Sequence, residues 1–196
     1  MSKQIRMALI AAAATAATFG ASSAMAADGT INFTGSIIAA SCSLVGGSGT
    51  NVGGSQGNQI IDVKLGKVTT DSLGGTAGGN IIAGTAINLD LNCDNSAQGL
   101  NTVKVRFDPV SGSGIDKHNN KLLAITGPAT GVGIGLYNGK NELLDLSGNS
   151  VIEGELAKDG DKYTAKLALR AGYVKNGDAI GPGEANGTLP FTLTYE

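Results

Sequence analysis

Side chains able to do covalent or acid–base chemistry are few and scattered. Cys42 and Cys93 are the two cysteines, and His118 is the single histidine. His118 sits in DKHNNK, a polar turn with no partners for a catalytic triad or a zinc site. GVGIG at 131–135 lacks the G-x-G-x-x-G spacing of a dinucleotide fingerprint and precedes an Asn-Gly hairpin signal instead of a helix. Asp159 and Asp161 flank Gly160 in a turn and do not make a calcium loop. Asn32-Phe33-Thr34 and Asn186-Gly187-Thr188 match the glycosylation sequon, but beside a bacterial-type export leader they are not read as modification sites. None of this asks for an enzyme, a metal or a cofactor.

The stretch that shapes the rest is ADGTINFTGSIIAASC, 27–42. Gly29, Ile31, Phe33, Gly35 and Ile37 alternate with Thr30, Asn32, Thr34 and Ser36, so an extended segment carries one apolar row and one row of short polar groups. Two features are unusual for a strand that serves only its own domain. It begins almost at the mature N-terminus, and it places glycines in the apolar row, where each costs about 0.5–1 kcal/mol relative to alanine. Such a strand suits a groove in another molecule.

The mature N-terminus follows from a secretory signal peptide at residues 1–26. Lys3 and Arg6 form the positive end, Met7 to Phe19 is an uncharged alanine-rich run, and Ala24-Met25-Ala26 fits the cleavage rule. The uncharged stretch from Met7 to Ala27 is long enough to raise a membrane anchor, but it is weakly hydrophobic and ends in small residues. The exported chain is then 27–196. Loss of Lys3 and Arg6 takes its formal charge from −2 to −4. With no basic run or basic face, nucleic acid is not an expected partner. In an exported chain the two cysteines are expected to pair; a redox pair or metal site is disfavoured by the absence of C-x-x-C and by the lone histidine.

Only 15% of the chain is charged, glycine is abundant at 31 residues, and tryptophan is absent. Residues 45–58 read as a glycine-, serine- and asparagine-rich loop. Short alternating runs follow: Ile61-Val63-Leu65; Ile87-Leu89-Leu91 into Cys93; Val103-Val105-Phe107; Val132-Ile134-Leu136; Tyr163 to Tyr173; and Leu189-Phe191-Leu193-Tyr195. About eight strands, separated by turn signals and without a convincing helix after the leader, predict an all-β antiparallel sandwich.

These residues resemble the chaperone–usher fimbrial subunits of the type 1 pilin family. The resemblance runs through nearly the whole exported chain: GTINFTGSIIAASC, VKLGKV at 63–68, INLDLNC at 87–93, GVGIGLYN at 131–138, ALRAGYV at 168–174 and the terminal FTLTYE. The family typically has a penultimate tyrosine, here Tyr195, and a glycine fourteenth from the end, here Gly183. The 45–58 loop looks long for the family. No second domain precedes the pilin-like part, which favours a shaft subunit over a two-domain tip adhesin.

The resemblance implies an incomplete immunoglobulin-like sandwich, 41–196, lacking its last strand, preceded by a donor-strand extension, 27–40. It implies a periplasmic chaperone, an outer-membrane usher and other copies of the chain as partners, no small-molecule substrate, and a place in a surface fimbrium supporting adhesion. Donor-strand complementation is a known form of β-strand addition. On this reading Gly29, Ile31, Phe33, Gly35 and Ile37 are the donor row, and Leu189, Phe191, Leu193 and Tyr195 form the groove edge and chaperone-docking strand. The alternative reading is a minor tip-proximal subunit or adhesin binding host glycan through the 45–58 or 111–120 loops.

Overall fold

Alternation in the sequence becomes alternation in burial. In the computed structural model, which describes residues 29–37, 42–46, 50–55, 58–73, 84–93 and 97–196, the apolar runs are extended. In Thr85–Cys93, Ile87, Leu89, Leu91 and Cys93 are buried while Ala86 and Asp90 face solvent. In Lys162–Lys175, the longest strand, Ala165, Leu167, Leu169 and Ala171 point inward. Val103, Val105, Ile61, Val63, Leu65, Phe191 and Leu193 supply the opposing wall. Two such sheets, each apolar on one face, have one way to bury both faces, which is against each other.

Twelve strands are described: β1 Gly29–Ile37, β2 Cys42–Gly46, β3 Thr50–Ser55, β4 Asn58–Gly66, β5 Thr85–Cys93, β6 Thr102–Phe107, β7 Val132–Asn138, β8 Val151–Glu155, β9 Ala157–Asp159, β10 Lys162–Lys175, β11 Gly187–Thr188 and β12 Phe191–Tyr195. One sheet runs β3-β4-β1-β12-β6-β8, with β11 also on β1. The other runs β2-β5-β10-β7, with β9 on β10. Every described ladder is antiparallel except those of β1 with β11 and β12, which are parallel. The fold is thus the expected all-β sandwich, and no helix among the described residues is long and apolar enough to cross a membrane. The leader and its cleavage site lie outside the described residues.

Two local readings are corrected, and two strands are added to those expected. Residues 50–55 are not loop: they form β3, an antiparallel edge strand on β4 from Thr50↔Val63 to Ser55↔Asn58. Its residues carry no apolar period because an edge strand of this composition is held by backbone pairing, with Asn51, Gly53 and Gly54 exposed. Residues 151–155 and 157–159, without a noted period, are strands β8 and β9; β8 alternates with Ile152 and Gly154 inward. The hairpin signal at Asn138-Gly139 marks a wider turn. The Asn138 N–H donates to the Glu142 carbonyl, its side-chain oxygen accepts the Lys140 and Glu142 N–H groups, and Asn141 adopts the left-handed region at φ 67°.

GVGIG is strand, with a packing reason for its glycines. β7 is buried on both faces, one on the core and one under the 115–123 and 143 segments. A β-carbon at Gly133 would lie 2.9 Å from the Leu122 side chain, and one at Gly135 2.8 Å from Val174. Leu122, Tyr137 and Val174, with Leu143 against them, make a small second core on that outer face.

Candidate strand-binding groove

β4 and β12 face each other across β1 without bonding to one another, because each spends its inner edge on β1. The antiparallel register with β4 sets Ile31 opposite Val63, Phe33 opposite Ile61 and Gly35 opposite Gln59. The parallel register on the other side sets Ile31 opposite Gly187, Gly35 opposite Phe191 and Ile37 opposite Leu193. Subtracting β1 leaves a trough with unpaired backbone on both rims. Its walls carry Ile61, Val63 and Leu65 on one side and Leu189, Phe191 and Leu193 on the other, all buried. Open edges above an apolar floor are an association hazard unless a strand covers them.

Of the residues expected at a groove edge, Leu189, Phe191 and Leu193 share the core face, and Tyr195 ends the row half-buried. The expected donor row is located by backbone register only, and it pairs within its own chain. Gly29 meets Gly66 at one end, and Ile37 meets Leu193 at the other.

Both ends of the trough are built by the C-terminal segment. Beyond the Gly29–Gly66 pair an apolar cavity of about 420 Å³ opens, lined among others by Val68, Leu73, Val132, Tyr173, Ile180 and Ala185. Tyr173 fixes this end by donating its hydroxyl to the Ala185 carbonyl at 2.7 Å. Gly183 also lines the cavity, and a β-carbon there would lie 2.6 Å from the Ala129 backbone nitrogen, so close backbone approach requires glycine. At the other end Glu196 is tied down: its carbonyl accepts the N–H groups of Asn101 and Thr102, and its carboxylate takes Lys104 Nζ at 2.6 Å, raising the lysine pKa. The Tyr195 hydroxyl is buried with no hydrogen-bond partner among the described residues, and burial pushes its pKa up to about 12.

Elsewhere, Cys42 and Cys93 are joined as a disulfide where β2 meets β5. His118 stands 3.7 Å from the Asp178 carboxylate at the surface, both about half exposed. No cluster of three or more potential metal ligands occurs among the described residues. Two features escaped the sequence reading. Asp116, buried in the 111–120 turn, accepts the N–H groups of His118 and Asn119 and the side-chain amide of Asn176 at 2.9 Å. Gln59 sits on the groove wall at 5% exposure. Gln59 was findable, being in phase with Ile61, Val63 and Leu65; nothing local flagged Asp116.

The family profile described as fimbrial protein matches residues 31–196, from inside β1 through β12. The chain belongs to the fimbrial protein family. It is 30% identical to the probable major fimbrial subunit LpfA of Escherichia coli O157:H7, over 99% of this chain and 97% of that one. It is 32% identical to the fimbrial-like protein SfmA of Escherichia coli K12, over 98% and 100%. To the long polar fimbria protein A of Salmonella typhimurium it is 30% identical, over 86% and 84%. As a member of this family the chain is a structural subunit of a surface fimbria.

Proposed function

We propose that this fimbrial subunit polymerises by donor-strand exchange, with residues 27–37 leaving their own trough and filling that of the next copy. The observation that carries the reading is the place of β1. It is the one strand whose removal separates β4 from β12 while leaving the remaining described ladders intact. A segment that fills its own trough has the register and spacing to fill the identical trough of a second copy, which is the logic of domain swapping. Its own seating is parallel to β11 and β12, and parallel pairing is slightly less stable per residue.

Donor segment and trough lie at different places on the subunit, so the contact is heterologous and propagates into an open filament. Once the segment has left its own trough and until the next copy's segment enters, the trough needs cover, which a periplasmic chaperone supplies with a strand of its own, followed by hand-over at an outer-membrane usher. The β12 edge, with Leu189, Phe191, Leu193 and Tyr195, is the docking strand for that chaperone. The work is structural, with no catalytic step.

The test is export of the full chain and of a chain lacking residues 27–37 together with chaperone and usher, followed by electron microscopy of sheared material. Fibres from the full chain and none from the truncated chain support the reading. Fibres from the truncated chain alone overturn it.

A further inference from the structure

We propose that Gln59 is the residue that restricts the groove to a strand with glycine at the position facing it, and so determines which donor strands fit. The trough walls are otherwise aliphatic or aromatic: Ile61, Val63 and Leu65 on β4, and Leu189, Phe191 and Leu193 along β11–β12. Gln59 continues the β4 row in phase, yet it is a long amide buried to 5% exposure, and its Oε1 has no hydrogen-bond partner among the described residues.

The register explains how such a side chain is accommodated. Gln59 lies opposite Gly35 on β1 and opposite Gly54 on β3, so both of its cross-strand neighbours lack side chains. Side chains directly opposite in a sheet share a face with β-carbons only about 4.5–5.5 Å apart, so a glycine leaves its volume to the residue across from it. Phe191, the other neighbour of Gly35, is the competing explanation for the glycine. Phe191 is committed to the core, where it bounds a small void with Ile87, Leu89 and Leu169. Gln59 is the wall residue whose buried Oε1 has no hydrogen-bond partner among the described residues, and the glycine opposite it leaves room on that side of the pair. A donor with a larger residue there takes the space that Gly35 leaves and confines the buried amide to the side of Gly54.

This deepens the groove reading and rests on it, but the relevant pairing already exists within one chain. A double-mutant cycle on the isolated full-length protein therefore tests it whether or not the protein polymerises. Four proteins are compared by urea unfolding: wild type, Gly35→Leu, Gln59→Ala and the double variant. We expect Gly35→Leu to lower the folding equilibrium constant at least tenfold with Gln59 present and no more than threefold with Gln59→Ala. The same loss in both backgrounds overturns the proposal and assigns the restriction to Phe191 or to the backbone. If Gly35→Leu does not fold beside Gln59, Gly35→Ala takes its place. If Gln59→Ala does not fold, Gln59→Thr does. The criterion is unchanged: a penalty relieved by shortening residue 59 supports the proposal, and an unrelieved penalty overturns it.

Discussion

Cys42 lies directly opposite Cys93 in the β2–β5 ladder, and the two are covalently joined there. The bond ties β2, the edge of its sheet, to the first central strand and closes a loop spanning a sequence separation of 51, which contains β3, β4 and most of β5. Restricting the unfolded chain in this way stabilises by roughly 4 kcal/mol on the chain-entropy model. Replacing both cysteines by serine is expected to shift the urea midpoint downward by about that free energy and to lower periplasmic yield. An unchanged midpoint would show that β2 is held by packing alone.

Asp116 and Asn176 form a second, non-covalent clasp, between the turn after β6 and the end of β10. Asp116→Ala removes the acceptor for two backbone N–H groups and strands the buried Asn176 amide. A loss of about 1–3 kcal/mol is expected in chemical unfolding. Amide exchange should accelerate at residues 117–122 and 176–179 before the sandwich strands respond.

Tyr195 gives a pH signature. Its hydroxyl is held neutral by burial, with a pKa of about 12 in the folded chain against 10.0 ordinarily. A phenol whose folded pKa is raised contributes stability that is complete below about pH 10 and is lost as pH rises from there through 12. Tyr195→Phe should remove that component of the alkaline decline while leaving neutral-pH stability equal or higher, because it deletes a buried hydroxyl with no partner among the described residues. Identical alkaline titrations of the two proteins would contradict this environment for Tyr195.

Gly183 is held to glycine by the backbone of Pro128 and Ala129. Gly183→Ala forces that approach apart at the mouth of the 420 Å³ cavity. We expect a cost of about 1–3 kcal/mol by thermal unfolding, as for overpacking elsewhere. Wild-type stability would mean that the 128–129 segment yields freely.

Most of the sandwich was legible because its strands are half-buried, and half-burial writes a period of two into the sequence. Tyr163 to Tyr173 and Ile87 to Cys93 are the plainest cases. β3 was not legible because an edge strand of Thr, Asn, Val and Gly is held by the β4 backbone, and backbone pairing leaves no mark in side-chain type. The apolar row from Leu189 to Tyr195 was legible for the same reason as the core strands. The gap between β4 and β12 that β1 fills was not legible from periodicity and came only from the resemblance, since it depends on which strands fail to pair across sequence separations of more than a hundred residues. Gln59 was in the right phase but of the wrong polarity for a wall residue, and only the register with Gly35 and Gly54 shows why it is tolerated.

Donation of the N-terminal segment to a neighbouring subunit is tested most directly by counting. Full-length chain and chain lacking residues 27–37 are assembled together, and SDS-resistant multimers are weighed by mass spectrometry. A truncated chain can accept a strand but has none to give, so it can only terminate a fibre. Multimers with at most one truncated chain each, some containing one, are the expected result. Multimers with two or more, or truncated chains excluded from every multimer, would contradict donor-strand exchange through this segment.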